Sequence, residues 1–565
     1  MVPTTGARFQ REEMLHRLRD AQFDLLVIGG GITGAGVALD AASRGLRTAL
    51  VERHDFASGT SSRSSKLVHG GLRYLDQHEF RLVYEGLAER QRILENAPHL
   101  VRVLPFLVPV LTSGGRVDRR LAPVLGSALW MYDLTGGLRI GKIHRRVSVD
   151  DALEQFPTLD RGRLTGAYVY YDAQADDARL TLTITRTAAE YGAVVLNYAE
   201  LVGLERDGAR VVGARVRTEV AEFTVGARVV VNAAGVWADD VRSLDEGASP
   251  GSIRPAKGVH VTLPWHLFRN TIAAIAPSAH DDRPVFVIPW DAHTYVGTTD
   301  TDYDGPLDDP QCTEADARYL LDAVNGVMST TVNLDDIVGS WAGLRPLLAS
   351  ADHERTADLS RRHSVHTSDS GVVTVTGGKL TTYRRMAADA VDAAARVLGD
   401  DIPRSPTKRL RLFGSDGIER DDAEGDHLVG RFGTEAERVR AIVRSDAALG
   451  EPLVPGLPYL RAEAVYAARH EMAVTLDDVL SRRTRARVLA RDASVDAARP
   501  VADLLARELG WTDHERDLEV CSYRASVAVE PLWDRDAPSS RSRSSSCAGA
   551  SGRRLHRSRP RPRRW

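Results

Sequence analysis

The chain has 565 residues, 43% hydrophobic and 27% charged, which is enough for several packed domains and excludes global disorder. Its formal charge of −3, from 74 Lys+Arg against 77 Asp+Glu, argues against a dedicated nucleic-acid binder. Three scattered cysteines, Cys312, Cys521 and Cys547, exclude a disulfide framework or a zinc knuckle and fit a reducing compartment.

The first residues, 1–23, are charged throughout and hold no apolar core of signal-peptide length. No window reaches the ~18 apolar residues of a spanning helix, so an integral membrane protein is not expected. Only five basic residues are lysine: Lys66, Lys142, Lys257, Lys379 and Lys408. From Asp534 to Trp565 there are ten arginines and two aspartates, a local +8 that leaves −11 for the preceding residues.

In chain order, the apolar run Phe23–Ile28 reads as a strand that meets Gly29-Gly30-Gly31 at once. Small and apolar residues from Ile32 suit a closely packed helix ending near Gly45, and 46–51 is a second strand closed by Glu52. This is a βαβ unit, whose parallel sheet needs cover on both faces. Residues 194–231 alternate apolar and polar with turns at Asp207-Gly208 and near Glu219, which predicts antiparallel β structure. Residues 285–288 and 295–299 read as a hairpin, and 313–327 as a helix with Thr313 as N-cap and Asp316 in its first turn.

Residues 372–376 form a further strand, followed by Gly377-Gly378 and a helical run over 380–398. Residues 399–405 read as a linker. Beyond it, 436–449, 461–472, 476–491 and 495–509 are helical by pattern, with no strand-like runs between them. Residues 539–565 are Ser, Arg, Pro and Gly with almost no apolar side chains, a composition that cannot build a core.

Gly29-x-Gly31-x-x-Gly34 carries its own physics. The first glycine permits the tight turn, the second lets backbone amides approach a pyrophosphate, and the third lets helix pack on strand. The phosphates then sit at the positive end of the helix. Glu52, 23 residues after Gly29, is placed to accept from a ribose hydroxyl. The ligand is a dinucleotide, FAD or NAD. Further close-approach points are the polar loop Thr60 to Lys66, the turn ending at Gly235, and Gly377-Gly378-Lys379. Contacts spread over so much chain suit a flavin fold with a substrate-binding insertion better than a two-halved nicotinamide site.

Ile28-Gly29-Gly30-Gly31-Ile32-Thr33-Gly34-Ala35-Gly36 resembles the N-terminal signature of the FAD-dependent glycerol-3-phosphate dehydrogenases. Gly377-Gly378-Lys379-Leu380-Thr381-Thr382-Tyr383-Arg384 resembles that family's second signature. Between them, Ser61-Ser62-x-Ser64-Ser65-Lys66-Leu67-Val68-His69-Gly70-Gly71-Leu72-Arg73-Tyr74, Lys257-Gly258-x-His260 and Gly343-Leu344-Arg345-Pro346-Leu347 fit in the same order. The likeness covers residues 23–398, and the helical region follows it to about Glu530.

The resemblance implies oxidation of sn-glycerol 3-phosphate to dihydroxyacetone phosphate, with FAD reduced and electrons passed to a membrane quinone. It implies a cytoplasmic protein lying peripherally on the inner face of the membrane, and allows for a homodimer. Residues 101–111 and the amphipathic 121–132 are candidate membrane-facing surfaces, each equally readable as a buried element. Arg73, Tyr74, Arg345, Arg361 and Lys379 are implied to bind substrate. Gly29, Gly31, Gly34, Glu52, Ser61, Ser62, Ser65, Lys66, His69, Gly235, Gly378, Lys379, Leu380 and Thr381 are implied to hold FAD.

The substrate is a phosphate dianion with a secondary alcohol, so it needs multi-donor cations and a proton acceptor. Arginine meets phosphate with two parallel donors, and hydrogen bonds to charged groups are worth about 1.5–3 kcal/mol each. Arg345 follows Trp341-Ala342-Gly343-Leu344, an apolar setting in which an unpaired guanidinium is costly. Lys66, Lys257 and Lys379 all fall inside the motifs of a chain that otherwise uses arginine, which points to a compact ammonium at each, in a site role for Lys379 and in a site or a structural role equally for Lys66 and Lys257. His260 and His69 are the candidate bases, His260 favoured and His69 better read as packed near the flavin, with Arg345 and Lys379 as further catalytic residues. No metal ligand set is expected.

The expected fold is α/β: a Rossmann-like FAD-binding core with an inserted antiparallel-β substrate domain and a separate C-terminal all-helical domain. Residues 20–400 would form the core, its FAD-binding part discontinuous, 401–530 the helical domain and 531–565 a basic low-complexity tail. The tail is read as a lipid-binding segment, at ~1 kcal/mol per basic residue near an anionic surface, or as the product of a shifted reading frame. The absence of amphipathic or heptad order favours the second. Rival activities on the same fold are an oxygen-dependent oxidase and an oxidase of another hydroxy or amino acid. Non-enzyme rivals are a flavin-binding scaffold of a membrane complex and an NAD-binding regulator.

Overall fold

Residues 9–71, 79–112, 129–133, 141–247, 251–278, 281, 283–349, 362–419, 422 and 425–530 are described in the computed structural model of the chain. The expected motif residues Arg73, Tyr74 and Arg361, most of the stretch 121–132 and the tail after residue 530 lie outside them.

Strand Phe23–Ile28 is buried along nearly its whole length, as a strand covered on both faces must be. It pairs in parallel with Thr48–Val51 on one side and with the end of Glu222–Asn232 on the other. The sheet runs His363–Thr367, Val373–Gly377, Glu222–Asn232, Phe23–Ile28, Thr48–Val51, Val194–Leu196, with its central pairs parallel. Helices Ile32–Ser43, Asp177–Glu190 and Tyr383–Leu398 lie against this core. The alternation over 194–231 resolves into two roles. Glu200–Asp207, Arg210–Arg217 and the start of Glu222–Asn232 are antiparallel, and the last strand then crosses into the parallel sheet.

The inserted β layer has ten strands. Its two long ladders are Val101–Leu111 with Leu164–Ala175 and Ile253–Pro264 with Gly339–Leu348. All its pairings are antiparallel except a short parallel contact of Ala273–Pro277 with Val101–Leu111. The expected hairpin forms from Pro284–Trp290 and His293–Gly297. Thr313 caps helix Glu314–Asn325 reciprocally with Asp316, as expected from their spacing. Val101–Leu111 proves to be a buried central strand, so the reading of that run as a membrane-facing surface is corrected.

Beyond residue 400 the described chain is helical, and its core is continuous with one face of the ten-stranded sheet. Helices Ala436–Ser445, Arg461–His470, Ala498–Leu509 and Asp513–Ala528 carry most of it. The single helix expected over 476–491 is instead broken. Asp478–Arg483 is a π-helical turn, Arg485 is left-handed with φ +62°, and Ala486–Leu489 is a separate short helix. No local pattern marks that break; its cause is a set of buried charge contacts.

Candidate active site

Three glycine turns from distant parts of the chain meet over the C-terminal ends of the parallel strands. The turn after Phe23–Ile28 places Gly29 at φ +107°, where a side chain would strike the Ala233 carbonyl. A Cβ on Gly34 would drive into the carbonyl of Gly29, so the helix can lie against the turn only as glycine. Gly235 (φ +61°) and the Gly377-Gly378 pair (φ +75° and +78°) are left-handed in the same way.

Together they line a cavity of about 380 Å³ that runs from Glu52, Leu201 and Trp237 past Gly29, Gly31 and Thr33 to Lys379 and Leu380. Glu52 accepts from the backbone N–H of Gly30 at 2.7 Å and of His54 at 2.8 Å, and burial raises its carboxyl above the usual range. Ser61 Oγ accepts from Ile32 N–H at 2.8 Å, closing the phosphate end of the helix.

A second cavity of about 200 Å³ shares Ile32, Ser61, Gly378, Lys379 and Leu380 with the first. Its far wall is Ser64, Ser65, Gly258, His260, Gly343 and Arg345. Strand alternation explains this wall. In Ile253–Pro264, Val259 and Val261 turn into the core under helix Glu314–Asn325, so Gly258 and His260 turn the other way. Cross-strand register sets Gly258 opposite Gly343, and His260 between Gly297 and Trp341. Gly258 leaves room for the Arg345 guanidinium, which lies over it, and Gly343 admits the backbone of Arg63.

Arg345 is held from its outer side. It donates to Asp300 Oδ1 at 3.2 Å, to Thr298 Oγ1 at 3.1 Å and to the Thr299 carbonyl at 3.1 Å. These partners fix the planar donor fork toward the cavity, the arrangement that suits a phosphate or a developing oxyanion. Lys379 caps the short turn Leu380–Thr382 and lines both cavities. Thr381 Oγ1 accepts from the backbone N–H of His69 at 3.1 Å, joining two of the sequence motifs.

His260 is buried, with Nε2 and Ser65 Oγ hydrogen-bonded at 2.8 Å. Burial, then the charges of Lys66 and Arg345, hold its imidazole well below the usual histidine range, so it is neutral at physiological pH. Lys66 stands behind the wall. It adopts φ +55°, its ammonium donates to Asp177 at 3.2 Å, and it lies 4.6 Å from the Trp341 ring centroid. Burial and the nearby Arg485 push it down to about 8.

The structure therefore brings together Gly29, Gly31, Glu52, Ser61, Gly235, Gly378, Lys379, Leu380, Thr381, Ser65, His69, His260 and Arg345 along one continuous cavity. Ser62 and Lys66 do not line it, and Gly34 serves by packing. Lys257 is turned away to pair with Asp316 at 2.6 Å. Asp300 and Thr298 were not marked by the sequence. Asp300 and Arg345 are 45 residues apart, and no local pattern announces a pair made across a sheet.

The glycine cradle, the carboxylate at one end and the cationic chamber at the other would suit an extended dinucleotide. Among the described residues no cluster of metal-ligating side chains is present.

Comparison with known proteins agrees with this geometry. Residues 24–384 match the family model described as FAD dependent oxidoreductase, and 377–516 match the C-terminal domain of alpha-glycerophosphate oxidase. The chain is 43% identical over 542 residues to glycerol-3-phosphate dehydrogenase 2 of Mycobacterium tuberculosis, covering 93% of this chain and 91% of the relative. It is 39% identical to the mitochondrial glycerol-3-phosphate dehydrogenase of Arabidopsis thaliana, covering 92% and 88%. The solved glycerol-3-phosphate dehydrogenase of Bacillus halodurans, complexed with FAD, superposes with a TM-score of 0.73 at 32% identity, covering 93% and 98%. These likenesses span the core and the helical region alike, and the chain belongs to the FAD-dependent glycerol-3-phosphate dehydrogenases.

Proposed function

We propose that the chain oxidises sn-glycerol 3-phosphate to dihydroxyacetone phosphate with FAD as the immediate acceptor, and passes the electrons to a membrane quinone. The observation that carries the first half is the convergence of Arg345, Lys379 and His260 on a small chamber opening into the dinucleotide cavity.

Gly29, Gly31, Ser61, Gly378 and Thr381 would hold FAD, which when bound would supply the hydride acceptor. Arg345 and Lys379 bind the phosphate and the polarised oxygen. Arg73 and Tyr74, on the strength of their motif, and Arg361, by the family resemblance, complete the substrate contacts. His260 is neutral and hydrogen-bonded to Ser65, so this pair is positioned to accept the hydroxyl proton. Residues 20–400 act as the catalytic unit and 401–530 as the helical domain packed on it.

Anaerobic addition of glycerol 3-phosphate to the yellow protein should bleach its ~450 nm absorbance. Persistence of the band, with dithionite still able to bleach it, would overturn the substrate assignment.

The quinone reading is supported by exposed large apolar side chains. Trp130 is 53% exposed and Met131 41%, with Phe80, Tyr84 and Ile143 also facing solvent. Among the described residues no helix is long and apolar enough to cross a membrane, so contact with lipid would be peripheral, through such a surface. Reduction of a soluble quinone at least tenfold faster than oxygen uptake supports this acceptor. Stoichiometric peroxide in its place would make the protein an oxidase.

A further inference from the structure

The loop 62–66 forms the back of the substrate chamber, and its anchor is one carboxylate. Asp177 opens helix Asp177–Glu190 and is fully buried. It accepts from Ser64 N–H at 2.9 Å, Ser64 Oγ at 2.7 Å and Lys66 Nζ at 3.2 Å. It also pairs with Arg485, which arrives from the helical domain some 300 residues later.

Arg485 is itself buried and multiply committed. It donates to Asp176 Oδ1 at 3.0 Å and to the Ser62 carbonyl at 3.1 Å. Both Lys66 and Arg485 are non-glycine residues in the left-handed region, conformations that persist only where surrounding contacts over-determine them. The π-helical turn Asp478–Arg483 just before Arg485 is a kind of irregularity common at functional sites.

From the cavity side the same loop is held by the β layer. Tyr295 donates to the Ser65 carbonyl at 2.9 Å, Trp341 Nε1 to the Ser64 carbonyl at 3.2 Å, and Ser65 Oγ meets His260. The loop is thus pinned between the helical domain behind it and the sheet in front.

We infer that Asp177 and Arg485 are positioning residues for the reaction. Through Ser62, Ser64 and Lys66 they set where Ser65 stands against His260, so the helical domain helps to shape the chamber beyond covering the core. The inference rests on the reading of this chamber as the reaction site.

The test uses the full-length, FAD-loaded enzyme. Arg485→Gln should keep FAD and leave KM within threefold. It should lower kcat per bound flavin at least twentyfold and shift the flavin absorption spectrum. Arg485→Lys should recover part of both. Arg483→Gln is the control, since Arg483 joins the domains through Asp55 at 2.7 Å and, among the described residues, makes no hydrogen bond to the loop. It should lower thermal stability while kcat per flavin stays within threefold.

An unaltered spectrum with kcat within threefold in Arg485→Gln would overturn the inference, as would an equal loss in the control. If Arg485→Gln does not fold, Ser64→Ala removes the hydroxyl that donates to Asp177 and accepts from Lys66 N–H. A fivefold fall in kcat with a shifted spectrum supports the inference, and an unchanged kcat and spectrum sinks it. If the parent enzyme fails to bleach with glycerol 3-phosphate, the substrate reading falls. The spectral comparison of Arg485→Gln with Arg483→Gln then still decides the positioning role.

Discussion

The imidazole of His260 lies flat on the indole of Trp341, ring centroids 4.7 Å apart and planes within 9°. Adjacent strands place them directly opposite, and the ammonium of Lys66 sits against the same indole. A neutral imidazole is compatible with such a stack beside a cation. A charged one would face two nearby cations and little water.

Arg345→Ala should abolish turnover without emptying the flavin site. Its guanidinium lines the small chamber alone of the two. Loss of several charge-assisted contacts, each worth about 1.5–3 kcal/mol, predicts a fall in kcat/KM of ~10³-fold or more. Steady-state kinetics and the flavin-to-protein ratio check both halves. A variant that loses its flavin would assign Arg345 to cofactor binding instead.

Gly34→Ala should do the reverse. The added carbon meets backbone at Gly29, which cannot rotate away, so the turn must shift. FAD affinity should drop at least tenfold in titrations of the apoprotein. Retained affinity would mean that the turn tolerates the displacement.

Arg384→Met should leave the buried Glu89 carboxylate with only the half-buried Arg92 as its cation. Arg384 grips Glu89 through two bonds of 2.6 Å, both side chains being almost fully buried. Breaking one partner of such a pair costs about 3–5 kcal/mol. Urea unfolding should show it, and Glu89→Leu combined with Arg384→Met should recover much of the loss.

Acid should destabilise the fold through His99. Burial, then Arg179 and Arg411, bring this imidazole down to about 4. Above pH ~6.5 neither folded nor unfolded chain protonates it. As pH falls from there toward 4, only the unfolded chain takes up the proton, so stability declines across that window by about 3 kcal/mol. His99→Gln should flatten the slope of unfolding free energy against pH between 6.5 and 4. An unchanged slope would place the acid sensitivity elsewhere.

The sequence announced the parts of the site that are local. Glycine turns and the acid after the second strand are visible because their chemistry is decided within a few residues. Thr313 with Asp316 was legible for the same reason. The partners of Arg345 were not, because Thr298 and Asp300 reach it only once two strands are in register. Nor was the role of Lys66. Its place in a motif suggested contact with the cofactor, whereas its ammonium is turned back to Asp177. The break at Arg485 was hidden for a related reason. Helical periodicity runs through it, and buried carboxylates from the core domain override that periodicity.

The parallel sheet also sets a timetable for synthesis. Strand Glu222–Asn232 pairs with Phe23–Ile28 on one side, but its other neighbour is Val373–Gly377. A ribosome adding 5–20 residues per second needs on the order of ten seconds to cover the intervening stretch of about 140 residues. During that interval an apolar strand edge, later central to the nucleotide-binding half, stands open to any passing chain. Fragments ending before Val373 would keep that edge permanently, so the nascent chain's hazard is greatest midway through translation and ends when the second glycine signature emerges.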